Sequence, residues 1–555
     1  MTLGVTPDHQ DLFRGTGFVA DRVASDSVYA FLHRECHVLF PDEMFADLFR
    51  STGRRSIPPR IVAVVMVLQR LLSLSDREAV EAFEFDARWK YAAGGLDIDF
   101  PGFSHTVLVD MRARLAASVD DRRIFRVVLD AVTAAGVLTT KRVLDSTPLY
   151  DAVATMDTVT LVRSAIRGVL SVADPGLGVE LRAVLRRDDD YTTAGKPVCE
   201  WDDPDARREL VDALARDGLA VLGVLEGLVV DTQLTQRAEL LATVIGQDLD
   251  IGEDGMFRIV RRVAKDRVIS TVDPTARHGH KTAARGFDGH KGHIGIDPDS
   301  EIITATKVTP GNVADGSVAI DLIADLVNSE TSDTVETSET VEDGETSETV
   351  EDGETVEDGE TVEAGGGGRG VWGDSAYGTG EFQEFLEGHG IESGCRTQPP
   401  SAKGGLFTKD RFGIDLEADT VTCPNEVTIA IRRHRDGTGV AQFGSACQEC
   451  PLRSECTRSS KGRKIRVGVY EAALAAARKR QQDPEWKASY RSTRPKVERK
   501  IGHLMRRQHG GRRSRVRGTT KIDADFNLLA GAHNIARLAK LGVYSTGSHG
   551  WAVAG

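Results

Sequence analysis

Residues 330–363 set the first limit on this chain. They hold 15 acidic side chains and no lysine or arginine, in variations on Val-Glu-Asp-Gly-Glu-Thr followed by a glycine run. Such a segment repels itself and has almost no apolar surface to bury, so it cannot join a core. Folding must come from its two flanks, and 329–368 is expected to be a disordered acidic linker on a surface loop. Its charge also hides the character of the rest. The net −14 of the chain becomes about +1 once those 15 charges are set aside. Arg453 to Lys521 carries 22 Lys/Arg against 5 Asp/Glu. That density suits phosphate neutralisation, although a solvated basic face has the same signature.

A length of 555 residues exceeds what one core supports, and domain-size statistics point to about three or four units. The most apolar run, Ile61 to Leu74, is interrupted by Gln69 and Arg70 and is too short to span a bilayer. The first ten residues show no basic-then-apolar secretory pattern. Seven cysteines in this length do not read as a disulfide framework, and a reducing, cytoplasmic setting is expected.

The N-terminal 135 residues read as helical. Ser75 with Glu78 forms a capping-box pattern, and the runs from Phe103 and from Arg122 place apolar groups at helical spacing. Short helices with scattered arginines suit either a helix-turn-helix-like DNA reader or a plain bundle. Lys-Arg-Val-Leu-Asp at 141–145 then reads as a strand ending on a carboxylate. Residues 153–263 return to helical texture. The runs from His290 and from Glu301, separated by Pro-Asp-Ser, read as a hairpin, and 311–327 as a helix. Beyond the acidic segment, Gly-Val-Trp-Gly-Asp is a short strand ending at Asp374, followed by a helix and another strand.

Carboxylates presented at strand ends are the ligand type that hard divalent cations require, and paired Mg²⁺ ions are a common device for phosphodiester chemistry. Four stretches carry a resemblance that makes this specific. They are VLDSTPLYDAVAT, FDGHKGHIGIDPDSEIITATKVTPGNVADG, VWGDSAYGTGEF and YRSTRPKVERKIGHLMRR, in that order. Together they resemble bacterial insertion-sequence transposases of the DDE type, in the insertion-sequence four/five superfamily. The resemblance implies an α/β fold: a ribonuclease-H-like mixed sheet flanked by helices, a helical N-terminal domain, a helical insertion and a small zinc-binding insertion. It implies metal ligation by Asp145, Asp374 and Glu498 with two Mg²⁺ (or Mn²⁺) ions, and catalytic roles for the same three. It implies DNA contacts from Arg494, Arg491, Arg506, Arg507 and Tyr490. Two positions depart from the family's Tyr-Arg-Glu-Lys signature. Tyr490 lies one residue further from Arg494 than the signature has it, and Met505 stands where Lys is expected, with Arg506 or Arg507 as substitutes. Pro495 reads as the first residue of a helix, which would put Glu498 near its positive end. Asp273 is a rival first carboxylate. His290, Lys291 and His293 could face DNA, but histidines on a half-exposed strand are more often structural.

Cys423, Cys447, Cys450 and Cys456 lie between the second and third carboxylates. Cys447-x-x-Cys450 fits a zinc knuckle, with reduced, unliganded thiols as the alternative; four cysteines leave no open position, so any zinc would be structural.

The layout read from sequence is 1–135 helical DNA-binding region, 136–152 first core strand, 153–263 helical insertion and 264–328 core strands and helix. It continues with 329–368 acidic linker, 369–398 core strand with the second Asp, 399–465 cysteine-bearing insertion and 466–545 basic region with the glutamate helix. The expected function is excision and strand transfer of an insertion sequence, acting on terminal inverted repeats and target DNA as a dimer or larger synaptic complex in the nucleoid. A catalytically inactive DNA-binding descendant, or a nuclease without strand transfer, are the alternatives. No membrane partner is expected.

Overall fold

The computed structural model describes residues 1–6, 14–151, 155–189, 191–282, 285–328, 368–547 and 550–554. The acidic linker expected at 329–368 lies, but for its last residue, outside them.

The N-terminal part consists of α1 (Val28–Leu39), α2 (Pro59–Leu71), α3 (Asp76–Phe85), α4 (Ala87–Ala92), α5 (Thr106–Ala117) and α6 (Arg123–Ala134). Ser75 and Glu78 form the expected capping box at α3. α2 holds the longest apolar run, and every residue from Ile61 to Leu71 is buried. Its polar end is satisfied from elsewhere in the chain. Gln69 Nε2 donates to Asp76 Oδ1 (2.6 Å), Arg70 Nη1 donates to the His509 carbonyl (2.7 Å), and Arg70 pairs with Asp525. Among the described residues no helix is long and apolar enough to cross a membrane.

The sheet is entered through β1 (Lys141–Tyr150). Next come α7 (Thr158–Leu170), α8 (Pro175–Ala183), α9 (Pro204–Leu225) and α10 (Thr232–Asp248), which close on their own apolar core, and a small hairpin, β2 (Leu249–Ile251) with β3 (Phe257–Ile259). β4 (Arg277–Thr282), β5 (Arg285–Ile296) and β6 (Ile303–Pro310) return the chain to the sheet. β5 and β6 form the expected hairpin. In its turn Asp297 Oδ1 accepts from the Ser300 amide and hydroxyl, both at 2.7 Å. The segment after β6 is not one helix, as its sequence led us to expect. It breaks into 3₁₀ turns at Asp315–Val318 and Asp321–Ile323, with α-helix at α11 (Ala324–Asn328). Asp315 is bound to Lys291 and Ser146 on the sheet, which holds the turn down.

β7 (Gly370–Gly373), α12 (Gly380–Gly388) and β8 (Glu392–Cys395) complete the sheet. Its order is β4-β5-β1-β7-β8, with β6 also paired to β5. β5 is antiparallel to both β1 and β6, whereas β7 lies parallel to β1 and β8 parallel to β7.

Small sheets follow: β9 (Gly413–Asp415), β10 (Thr420–Thr422) and β11 (Thr428–Ala430), then β12 (Arg432–Arg433), β13 (Gly439–Gln442) and β14 (Lys464–Val467), with α13 (Arg453–Cys456) before the last. The chain ends in α14 (Glu471–Arg480), α15 (Pro484–Leu504), α16 (Thr519–Leu541) and the hairpin β15 (Val543–Gly547) with β16 (Gly550–Val553).

α16 joins the two halves. Ala532, Ile535, Leu538 and Ala539 pack into the N-terminal helical core, while Phe526, Leu529 and Ala530 pack with Val143 and Ile294 of the sheet. A polar row on the same helix covers β6. Asp523 accepts from the Val308 amide (2.7 Å), and Asn527 donates to Thr306 (3.1 Å). Asn534 accepts from the Ile303 amide (2.9 Å) and donates to its carbonyl (2.8 Å). Asp523 and Asn534 take up backbone groups of β6 that a further strand would use, which blocks pairing at this edge. Each such bond contributes about 1 kcal/mol.

Candidate active site

Asp145 and Asp374 come together because β1 and β7 are parallel neighbours. Their pairing stops at Val143 opposite Trp372, so both carboxylates project just past the end of the shared ladder. β1 does not end at Asp145 as its sequence had implied. β5 is longer than β7 and keeps pairing with it as far as Tyr150 opposite Gly289. The Asp374 carboxylate accepts from the Ala376 amide at 2.9 Å, a turn that fixes its side chain to the loop after β7.

α15 crosses β1, β7 and β8 and is docked by two indoles. Trp372 Nε1 donates to Ser489 (3.2 Å), and Trp486 Nε1 donates to the Ser393 carbonyl (3.0 Å). Trp486, Tyr490, Arg494 and Glu498 recur every fourth residue and so share one helical stripe. The Trp486 and Tyr490 rings stack with centroids 5.2 Å apart.

Arg494 is 7% exposed, and its Nη2 stands 2.9 Å from Asp145 Oδ1. Burial disfavours its charge, but Asp145, Asp374 and Glu498 outweigh that and hold its pKa above the usual value. Burial raises the Asp145 carboxyl, opposed by Arg494 and by the Ser146 amide, with Asp374 adding a further upward push. One guanidinium thus acts as counter-charge to three carboxylates. Its Nε and Nη1 are buried and have no hydrogen-bond partner among the described residues. Tyr490, also within reach of Arg494 and Asp374, belongs to the same group. The one-residue offset from the signature therefore does not remove it, because a spacing of four keeps it on the stripe.

Pro495 does not start a helix. α15 begins at Pro484, capped by Asp483, and Pro495 lies inside it. Glu498 is therefore in the helix body, exposed, and gains nothing from the positive end. The Asp483-Pro484 pair was the legible start signal. Arg491 is exposed and lines a cleft of about 800 Å³ beside Trp486, Tyr490, Arg396 and Lys487. Arg506 and Arg507 lie past the end of α15, about two helical turns beyond Glu498, and are not brought to the carboxylates.

A second layer was not foreseen. Asp315 accepts from the Ser146 hydroxyl (2.6 Å) and from Lys291 Nζ (2.7 Å). Buried His293 bonds to Tyr377 Oη (3.1 Å) and Thr309 Oγ1 (2.9 Å), and burial lowers its pKa to about 4, so it stays neutral. Tyr377, fully buried, faces Asp315, Asp145 and Asp374. The one prior signal for Asp315 was its place as the sole carboxylate of the turn after β6. His290 is buried against Thr275. Asp273 is committed to structure, accepting from the Gly518 amide and from Thr275.

Among the described residues no three carboxylate, imidazole or thiolate groups stand in a metal-ligating arrangement. Cys423, Cys447, Cys450 and Cys456 nevertheless line one small cavity with Phe407, Phe412 and Phe443. Burial raises the Cys456 thiol; Arg463 lowers it, and the other three thiols push it further up. Cys36, Cys199 and Cys395 are free thiols apart from this cluster.

A family model described as Transposase DDE domain matches residues 422–539, and one described as Transposase domain (DUF772) matches 21–114. The first spans Glu498, Arg494 and the cysteine cluster but neither Asp145 nor Asp374. No curated protein and no solved structure matches the chain. The two matches support a DDE-type transposase family and a transposase function.

Proposed function

We propose that the chain is a DDE transposase that excises and rejoins its own insertion sequence, with Asp145, Asp374 and Glu498 as the catalytic carboxylates. The observation that carries this reading is Arg494. It is buried where the charges of all three carboxylates meet, and its Nε and Nη1 have no hydrogen-bond partner among the described residues. A phosphodiester oxygen would satisfy those donors. The strand order β6-β5-β1-β7-β8, with its antiparallel and parallel halves, supports a ribonuclease-H-like core for this site.

The donor set fits divalent metal, because carboxylate oxygens are the hard ligands that Mg²⁺ or Mn²⁺ takes. Asp145, Asp374 and Glu498 would hold two such ions, which supply charge neutralisation and an activated oxygen nucleophile. The chain's own residues do the rest. β1 and β7 hold two carboxylates on rigid backbone, and Arg494 orients the phosphate. Trp486, Tyr490, Arg491, Arg396 and Lys487 offer stacking faces and cations along the adjacent cleft. The N-terminal helices would bind terminal inverted repeats, and two chains would pair the element ends in the nucleoid.

Incubating the full chain with DNA carrying the paired inverted repeats that flank its coding region tests this. Nicked ends and joined product are expected with Mg²⁺ or Mn²⁺ and not with EDTA. Nicking without joining would leave only a nuclease. Binding without nicking under any metal would defeat the enzyme reading.

For the four cysteines, structural zinc is the proposed ligand. The purified chain should contain one zinc by elemental analysis, and Cys450→Ser should lower both zinc content and thermal stability. A zinc-free chain of unchanged stability would assign them as plain thiols.

A further inference from the structure

A further groove lies at β4 and β5, whereas α15 crosses β1, β7 and β8. Residues 263–265, Arg267, Arg277 to His280, Lys291 and Gly311 to Ala314 enclose about 360 Å³, and none of its lining residues is acidic. The nearby acids bond to the groove's own lining residues. Asp266 accepts from Arg277 Nε and from Asn312 Nδ2, both at 2.8 Å, and Asp288 pairs with His278. Asn312 also donates to the Lys265 carbonyl, so the loop before β4 and the turn after β6 are stitched into one wall.

Lys265 lines this groove and is exposed, as are Arg261, Arg262, Lys281 and Arg285 in the chain segments next to its lining. None of these five side chains forms an ion pair among the described residues. By contrast Arg267, Arg277 and Lys291 are each paired, to Asp248, Asp266 and Asp315. The groove therefore has carboxylate-paired cations inside and exposed cations in the chain segments beside it. Its inner end is Lys291, whose partner Asp315 also holds Ser146, the residue after Asp145.

We propose that this groove carries the phosphates of duplex DNA, continuing the DNA path across the carboxylates from the α15 cleft to the β4 side. The assignment rests on the transposase reading for the position of the substrate. It rests on charge for its chemistry: the cations inside the groove are already balanced by carboxylates, so the five exposed cations of the flanking chain, without an ion pair among the described residues, give the surface its positive excess, which is complementary to a polyanion. The groove reads phosphate spacing and not sequence, since the exposed groups are long, flexible cations.

The test is binding of the full chain to a fluorescein-labelled duplex of about 30 base pairs, titrated at several salt concentrations. The variant carries R261S, R262S, K265S, K281S and R285S, all at exposed positions, with unchanged thermal stability verified first. A control carries R207S and R208S, exposed on α9. The five-site variant should bind at least tenfold more weakly. Its salt slope should be shallower by about 2 to 4, since each lost phosphate contact removes about 0.9. The loss should be equal for repeat-bearing and scrambled duplexes, with the control unchanged. Wild-type affinity and slope in the five-site variant would overturn the groove while leaving the transposase reading intact. An equal loss in the control would overturn it too, as an effect of net charge alone. Failure of the wild type to bind any duplex would overturn both.

Discussion

Asp374→Asn should abolish strand cleavage while leaving the fold and duplex binding in place. The amide retains the oxygen that accepts from the Ala376 amide at 2.9 Å, so the loop after β7 keeps its turn. What is lost is one charge of the proposed metal-binding set. Removing a ligand charge from such a site is expected to cost on the order of a thousandfold or more in rate, roughly 4 kcal/mol of transition-state stabilisation. Stability should move little or rise, because Asp374 pushes against the already buried Asp145 carboxylate. Cleavage within tenfold of wild type under Mg²⁺ would remove Asp374 from the catalytic set. A matching collapse of thermal stability would make the loss structural.

Arg494→Ala should be the most destabilising single change at the site. It leaves Asp145 desolvated with its 2.9 Å partner gone, and breaking a buried pair from one side costs about 3–5 kcal/mol. Arg494→Lys separates the structural role from the chemical one. A lysine retains a cation for Asp145 but not the planar fork that presents further N–H groups to a phosphate. The lysine variant should keep most of the thermal stability that alanine loses, and still cleave at least a hundredfold more slowly than wild type. If lysine restores cleavage fully, Arg494 is a counter-ion and nothing more.

These two residues also mark how far the chain could be read without its fold. Asp374 was legible because its signals are local: four strand residues, a carboxylate and a turn, confirmed as β7 and the loop that follows it. The Ser75 capping box and the β5–β6 hairpin were legible for the same reason. Pro495 misled because a proline is most at home in the first turn, yet α15 runs through it. β1 was read too short because its length is set by β5, which pairs with it beyond β7's reach. β4 carried no periodic or motif signal, and Asp315, though inside a matched stretch, had nothing to mark it beyond its place in the turn after β6. Their roles exist only through partners on other strands.

The chain's own order of residues determined which segments fold as strands and helices. It also separated the acidic stretch from the basic one, because propensity, capping and charge density act between near neighbours. Tertiary structure alone decided that Arg494 meets Asp145. It decided that α16 covers β6 with Asp523, Asn527 and Asn534, and that Arg267, Arg277 and Lys291 beside β4 each meet a carboxylate. Those outcomes depend on burial and on pairing between distant segments, which neighbouring residues do not encode. The acidic segment that first limited the fold leaves the +1 remainder to form this surface, with its sign decided by which cations found carboxylate partners and which did not.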